Sequence, residues 1–161
     1  MFNDAFYNKT IEKKDDLNDL IDVKNLNYIN FKVLENKLLS IFDKIHNLQD
    51  KYKVLSIPKI TPNYELREEQ FLNNTGSKIE QNAIAKENIE NELQYYIKAF
   101  TQLFDTSFCY YEKTLFIDFY IKKLSRDAII ADLNIYKDKF YEIKYSLLVK
   151  IGQAFGWIEI N

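Results

Sequence analysis

The chain has 161 residues, 47% of them apolar, and a formal net charge of −2. That supplies enough apolar side chain for a packed core, and it excludes a protein that is basic throughout and holds nucleic acid by bulk charge. One cysteine and one histidine exclude an internal disulfide and a Cys/His zinc site, and three glycines with two prolines favour helices over strands and turns.

The start, MFNDAFYNKTIEKKDD, lacks the apolar stretch of a secretory signal. No run reaches membrane-spanning length, so no membrane partner and a reducing, cytoplasmic setting are expected. Ile11–Val23 carries Ile11, Leu17, Leu20 and Ile21 among many charges, which predicts a helix with a narrow apolar stripe. The asparagines of Asn25–Asn30 predict a break, because Asn favours turns over helix interiors.

Phe31–Leu55 gives the clearest long helix. Phe31, Leu34, Leu38, Ile41, Phe42, Ile45, Leu48, Tyr52 and Leu55 recur at helical spacing. Such a stripe either packs within one chain or pairs with its twin in a coiled coil. His46 lies beside it with no ligand cluster at suitable spacing, so it reads as a helix-surface residue.

Ser56–Gly76 reads as a connector. Pro58 and Pro62 disfavour helix before them, and Asn73-Asn74-Thr75-Gly76 is a turn signal. Ser77, with Glu80 three residues on, predicts a capping box. The following helix, about Lys78 to Phe104, has Ile89, Leu93, Tyr96, Ile97, Phe100, Leu103 and Phe104 on one face. Asp105-Thr106-Ser107 ends it, and Thr106 or Ser107 is placed to start the next. Cys109 lies among Phe108, Tyr110 and Tyr111, where a free thiol serves as a small buried hydrophobe. Glu112–Lys122 turns Leu115, Phe116, Phe119 and Tyr120 inward. The resulting organisation is an all-α chain: a helical arm over 1–57, a connector over 58–76, and a helical domain over 77–161.

Within that domain Ser125–Gly156 reads as two helices around a tight turn. The first, about Arg126 to Leu133, aligns Ile129, Ile130 and Leu133. Asn134 suits the left-handed residue that ends it, and Ile135 tucks below. The second, about Lys137 to Phe155, has Phe140, Ile143, Leu147 and Ile151 as its inner stripe, with Gly156 as its C-cap. Trp157–Ile160 is placed to fold back. This layout matches a helix-turn-helix, whose second helix enters the major groove of double-stranded DNA, and equally an ordinary helical hairpin. Tyr136 is a poor N-cap, and Asp138 and Glu142 put negative charge on the groove face. Between Lys122 and Lys150 the basic residues exceed the acidic ones seven to four.

Ser125–Gly156, with the preceding helix, resembles the sigma-factor region-four-like domain of the ArpU/RinA-type phage late-transcription regulators. The likeness extends through PKITPNYEL, GSKIEQNAIAKENIENELQYYIKAFTQLF, EKTLFIDFYIKK and DLNIYKDKFYEIKYSLLVKIGQAFG, in that order. It implies an activator of phage or phage-derived late genes that acts with host RNA polymerase. The long apolar stripe, set apart by the proline-bearing connector, and the two-fold symmetry of operators lead us to expect a homodimer with Phe31–Leu55 in its interface. Lys122, Lys123, Arg126 and Lys150 are expected at the DNA backbone. Lys137, Lys139, Tyr141, Lys144 and Tyr145 are expected on the reading face. The alternative is a helical protein-binding module, an inhibitor or adaptor of a host protein, without DNA binding. No phosphate loop, metal cluster or nucleophile constellation is visible, so neither an enzyme nor a cofactor is expected.

Overall fold

The computed structural model describes residues 1–14, 17–57 and 75–160, without the side chains of 75–77. It is all-α, with no strand among the described residues. Six α-helices follow in order: α1 (Asp4–Tyr7), α2 (Phe31–Ser56), α3 (Thr75–Thr106), α4 (Tyr110–Leu115), α5 (Arg126–Leu133) and α6 (Lys137–Ala154). A π-helical turn, Phe116–Ile121, continues α4. Among the described residues no helix is long and apolar enough to cross a membrane.

α2 starts where the asparagine run stops, because the Asn30 side chain accepts a hydrogen bond from Val33 N at 3.2 Å. Its stripe is consumed within the chain: Leu34, Leu38, Ile45 and Leu48 are buried, and α2 packs along α3 and α6. The arm expected over 1–57 therefore shares one core with the C-terminal helices. On α3 the expected face holds, with Leu93, Tyr96, Phe100, Leu103 and Phe104 buried.

The centre of that core is aromatic. Phe2, just before the short α1, and Phe6, within it, reach Phe100 at 5.5 Å and Phe116 at 5.3 Å between ring centroids. Phe100 stacks on Phe116 at 5.6 Å, and Phe42 of α2 on Phe100 at 5.7 Å. Offset and edge-on ring pairs of this kind add about 0.5–1.5 kcal/mol each beyond area burial.

Several sequence expectations are corrected. Among the described residues of Ile11–Val23 there is no α-helix; short 3-10 turns lie at Leu17–Asp19 and Val23–Asn25 instead. The charges there leave too narrow a stripe for a helix, and the segment runs across α6, where Ile21 N donates to Ser146 Oγ at 2.9 Å. Ser77 is not a helix cap, since α3 is already helical at Thr75. The connector's residues 58–74, with both prolines, lie outside the described residues. Cys109, not Thr106 or Ser107, precedes α4: its backbone N donates to Glu112 Oε2 at 2.9 Å. The α4 extension is π-helical rather than α-helical, with Lys122 N bonding Ile117 O at 2.8 Å. The wider turn brings Phe116, Ile117, Tyr120 and Ile121 inward together and leaves Phe119 only half-buried.

A buried polar knot joins these parts. Glu112 is fully buried. Its Oε1 accepts from Ser146 Oγ at 2.6 Å, and its Oε2 accepts from Lys150 Nζ at 2.6 Å as well as from Cys109 N. Lys150 Nζ also donates to Ser107 O at 2.9 Å and Asp19 O at 3.1 Å, which uses all three of its protons. Burial first, and the Glu112 carboxylate second, push the Cys109 thiol up to about 11, so it stays neutral at physiological pH.

Glu112→Ala is expected to cost about 3–5 kcal/mol, because it leaves the Lys150 ammonium buried without its counter-ion. The paired change Glu112→Gln with Lys150→Met is expected to cost less than the sum of the single changes. Urea titration of each variant measures both, and additive losses would contradict the coupling.

Candidate nucleic-acid interface

The trihelical end of the chain is built from α4 with its π-turn, α5 and α6. Ser125 caps α5, its Oγ accepting from Ala128 N at 3.2 Å. α5 ends on Asn134, which has φ 51° and ψ 51°, the left-handed conformation expected of it. Asn134 N bonds Ala131 O at 3.3 Å, and Ile135 N bonds Ile130 O at 3.2 Å, closing the helix end. Ile129 is buried, and Ile130, Leu133 and Ile135 pack against the core.

Tyr136 stands before α6 without a side-chain cap bond and is 87% exposed. Lys137 and Asp138 are exposed beside it. Phe140, Ile143, Leu147 and Ile151 are buried as expected, but so are Ser146, Leu148, Val149 and Gly152. From Lys144 onward α6 is thus packed on more than its inner stripe. At Gly152 the approach of α2 and the tail is close: a Cβ there would meet Ile158 Cγ1 at 3.1 Å and Leu34 Cδ2 at 3.2 Å.

The nine candidate DNA-binding residues divide accordingly. Lys122, Lys123 and Lys137 are exposed. Lys122 pairs with Asp118 at 3.0 Å, and Lys123 has φ 60° at the end of the π-turn. Arg126 bonds Asp127 Oδ1 at 3.0 Å and the Tyr141 hydroxyl oxygen at 3.2 Å. That hydrogen bond, helped by the charges of Lys137 and Lys144, holds the Tyr141 phenol below its ordinary value. Arg126, Tyr141 and Lys144 line a shallow cleft of about 280 Å³ floored by Phe119 and Phe140.

Lys139 bonds Glu142 at 2.8 Å, and Lys24 approaches the other oxygen of the same carboxylate at 3.9 Å. Lys144, 11% exposed, pairs with Glu35 of α2 at 2.7 Å. Tyr145 stacks on Phe31 at 4.3 Å with an 18° interplanar angle. Lys150 points into the polar knot and offers its ammonium to no outer surface. Lys150 is therefore removed from the backbone contacts, and Lys144 and Tyr145 are not free on the reading face. Lys24, Phe31 and Glu35 were missed from the sequence, since no local pattern links them to α6.

His46 is exposed and lies 3.4 Å from Asp50, and no group of metal-ligating side chains occurs among the described residues.

Asn134→Ala is expected to cost about 1–2 kcal/mol, because the new Cβ meets the following carbonyl in the left-handed conformation. Asn134→Gly is expected near neutral. Thermal melts of the two variants measure the difference, and equal melting would show that the turn relaxes.

Comparisons with protein-family models, with curated proteins and with solved structures found no match to this chain.

Proposed function

We propose that the chain is a sequence-specific DNA-binding protein, an activator of phage or phage-derived late genes that acts with host RNA polymerase. The carrying observation is the α5–turn–α6 unit. A left-handed Asn134 turns the chain so that Tyr136, Lys137 and Asp138 project from the start of a helix whose inner stripe is anchored. A reading helix uses its N-terminal residues at base edges. Arg126, bonded to Tyr141 of α6, suits a phosphate contact near that end, while Lys122 and Lys123 lie over Tyr7 and Phe42, toward α1 and α2. The Glu142 carboxylate, which opposes DNA by its sign, is met by both Lys139 and Lys24. The resemblance to the phage regulators supports the same reading.

One observation favours the protein-binding alternative. The internal pairing of Lys144 and Lys150 takes two cations away from the outer face of α6, on a chain of net charge −2. Retention on heparin separates the two readings. A DNA-binding chain is expected to bind at low salt and elute as salt rises. Lys137→Ala is expected to keep the fold and lose DNA affinity. A base-edge contact would cost about 1–3 kcal/mol at one position of the site, whereas a phosphate contact would flatten the salt slope by about one unit. Elution without salt dependence, together with unchanged DNA titration of Lys137→Ala, supports the protein-binding module.

Assembly as a homodimer belongs to the same proposal. Because the Leu34–Leu48 stripe is covered within the chain, the interface is assigned to the outer ends of α2 and α3. Val54, Ile57, Ile79 and Ile84 are all exposed there. A monomer mass by light scattering at micromolar concentration would remove the dimer.

A further inference from the structure

The first turns of α6 are open, but the reading face closes abruptly after Glu142. What closes it comes from the other half of the chain. Phe31, the first residue of α2, lies flat on Tyr145, with ring centroids 4.3 Å apart. One turn further along α2, the Glu35 carboxylate holds the Lys144 ammonium at 2.7 Å. The pair sits at the edge of the packed region: the Lys144 side chain is 11% exposed and that of Glu35 26%. It is neither sealed in the core nor loose in solvent.

We infer that Glu35 is an internal stand-in for a DNA phosphate: it occupies Lys144 in the free protein, and bound DNA must displace it to complete the interface. The inference rests on the DNA-binding reading above. Carboxylate and phosphate are both oxyanions, and both satisfy an ammonium by short, charge-assisted hydrogen bonds. Lys144 is therefore a shared cation with two alternative partners. Its position is about two turns beyond the start of α6 at Lys137, where the flank of a reading helix meets the backbone of the duplex. The Phe31–Tyr145 stack fixes the first turn of α2 so that Glu35 stays within reach. Exchange leaves the Lys144 ammonium paired, and the released Glu35 carboxylate, 26% exposed, regains water, so a polyanion competes with the pair. The consequence is a chain whose affinity for DNA is set below what its lysines allow, which suppresses binding to sequences that offer no compensating base contacts.

The test is titration of a mixed-sequence DNA duplex with the full chain at two salt concentrations. Glu35→Gln removes the competing charge and keeps the side-chain size. It is expected to bind roughly threefold more tightly than the parent. Its salt slope is expected to steepen by about one unit as Lys144 becomes a full phosphate contact. Adding Lys144→Met to Glu35→Gln is expected to abolish both gains. Glu35→Asp keeps the charge but shortens the reach, and an intermediate gain is expected; it also serves if Glu35→Gln does not fold. Parent-like affinity and slope in both Glu35 variants, with helical content retained, would overturn the masking while leaving DNA binding intact. Failure of the parent and every variant to bind duplex at low salt would overturn the DNA-binding reading and the masking with it.

Discussion

The carboxylate of Glu112 is the constraint on which the remaining packing depends. It is fully buried, and its partners lie on parts of the chain far apart in sequence. A buried charge is tolerated only when its lone pairs are matched. Here Ser146, Lys150 and the Cys109 amide match them, and Lys150 in turn satisfies the carbonyls of Asp19 and Ser107. This fixes three things together. It starts α4, it sets the rotation of α6 about its own axis, and it holds the irregular segment around Asp19–Ile21 against α6. Such a network contributes specificity of arrangement more than net stability, because desolvation of the ions offsets much of their attraction.

The rotation of α6 decides what the helix can offer a partner. With Ser146 and Lys150 drawn toward Glu112, the opposite flank of α6 meets α2. Lys144 is then placed against Glu35, Tyr145 against Phe31, and Gly152 under Leu34 and Ile158. Only the first turns remain open. A helix with this much buried surface is mechanically well fixed, which suits a rigid reading element. The same burial also shortens the face that the proposed DNA contact would use. The two lysines drawn inward, Lys144 and Lys150, are among those expected from the sequence to meet DNA.

The aromatic centre supplies the apolar half of the same arrangement. Phe2 and Phe6 bring the start of the chain onto Phe100 and Phe116, so α1, α2, α3 and the π-turn meet around one group of rings. The π-turn fits this function, because its wider spacing turns both Phe116–Ile117 and Tyr120–Ile121 inward.

What the sequence determined by itself is the set of features coded over a few neighbouring residues. The long α2, the apolar face of α3, the span of α5, the start of α6 and the left-handed Asn134 all follow from spacing and from backbone preference. The exposed end of the candidate interface, with Tyr136 and Lys137, was legible for the same reason. Tertiary structure alone decided that the described residues of Ile11–Val23 form no α-helix, that α4 continues as a π-turn, and that Lys144 and Lys150 face internal carboxylates. A helical period tells which residues share a face, but not what that face will meet. The Lys150–Glu112 and Lys144–Glu35 pairs join residues on different helices. They form only because the core brings those helices together, so the polarity of the surface at α6 was written by packing rather than by pattern.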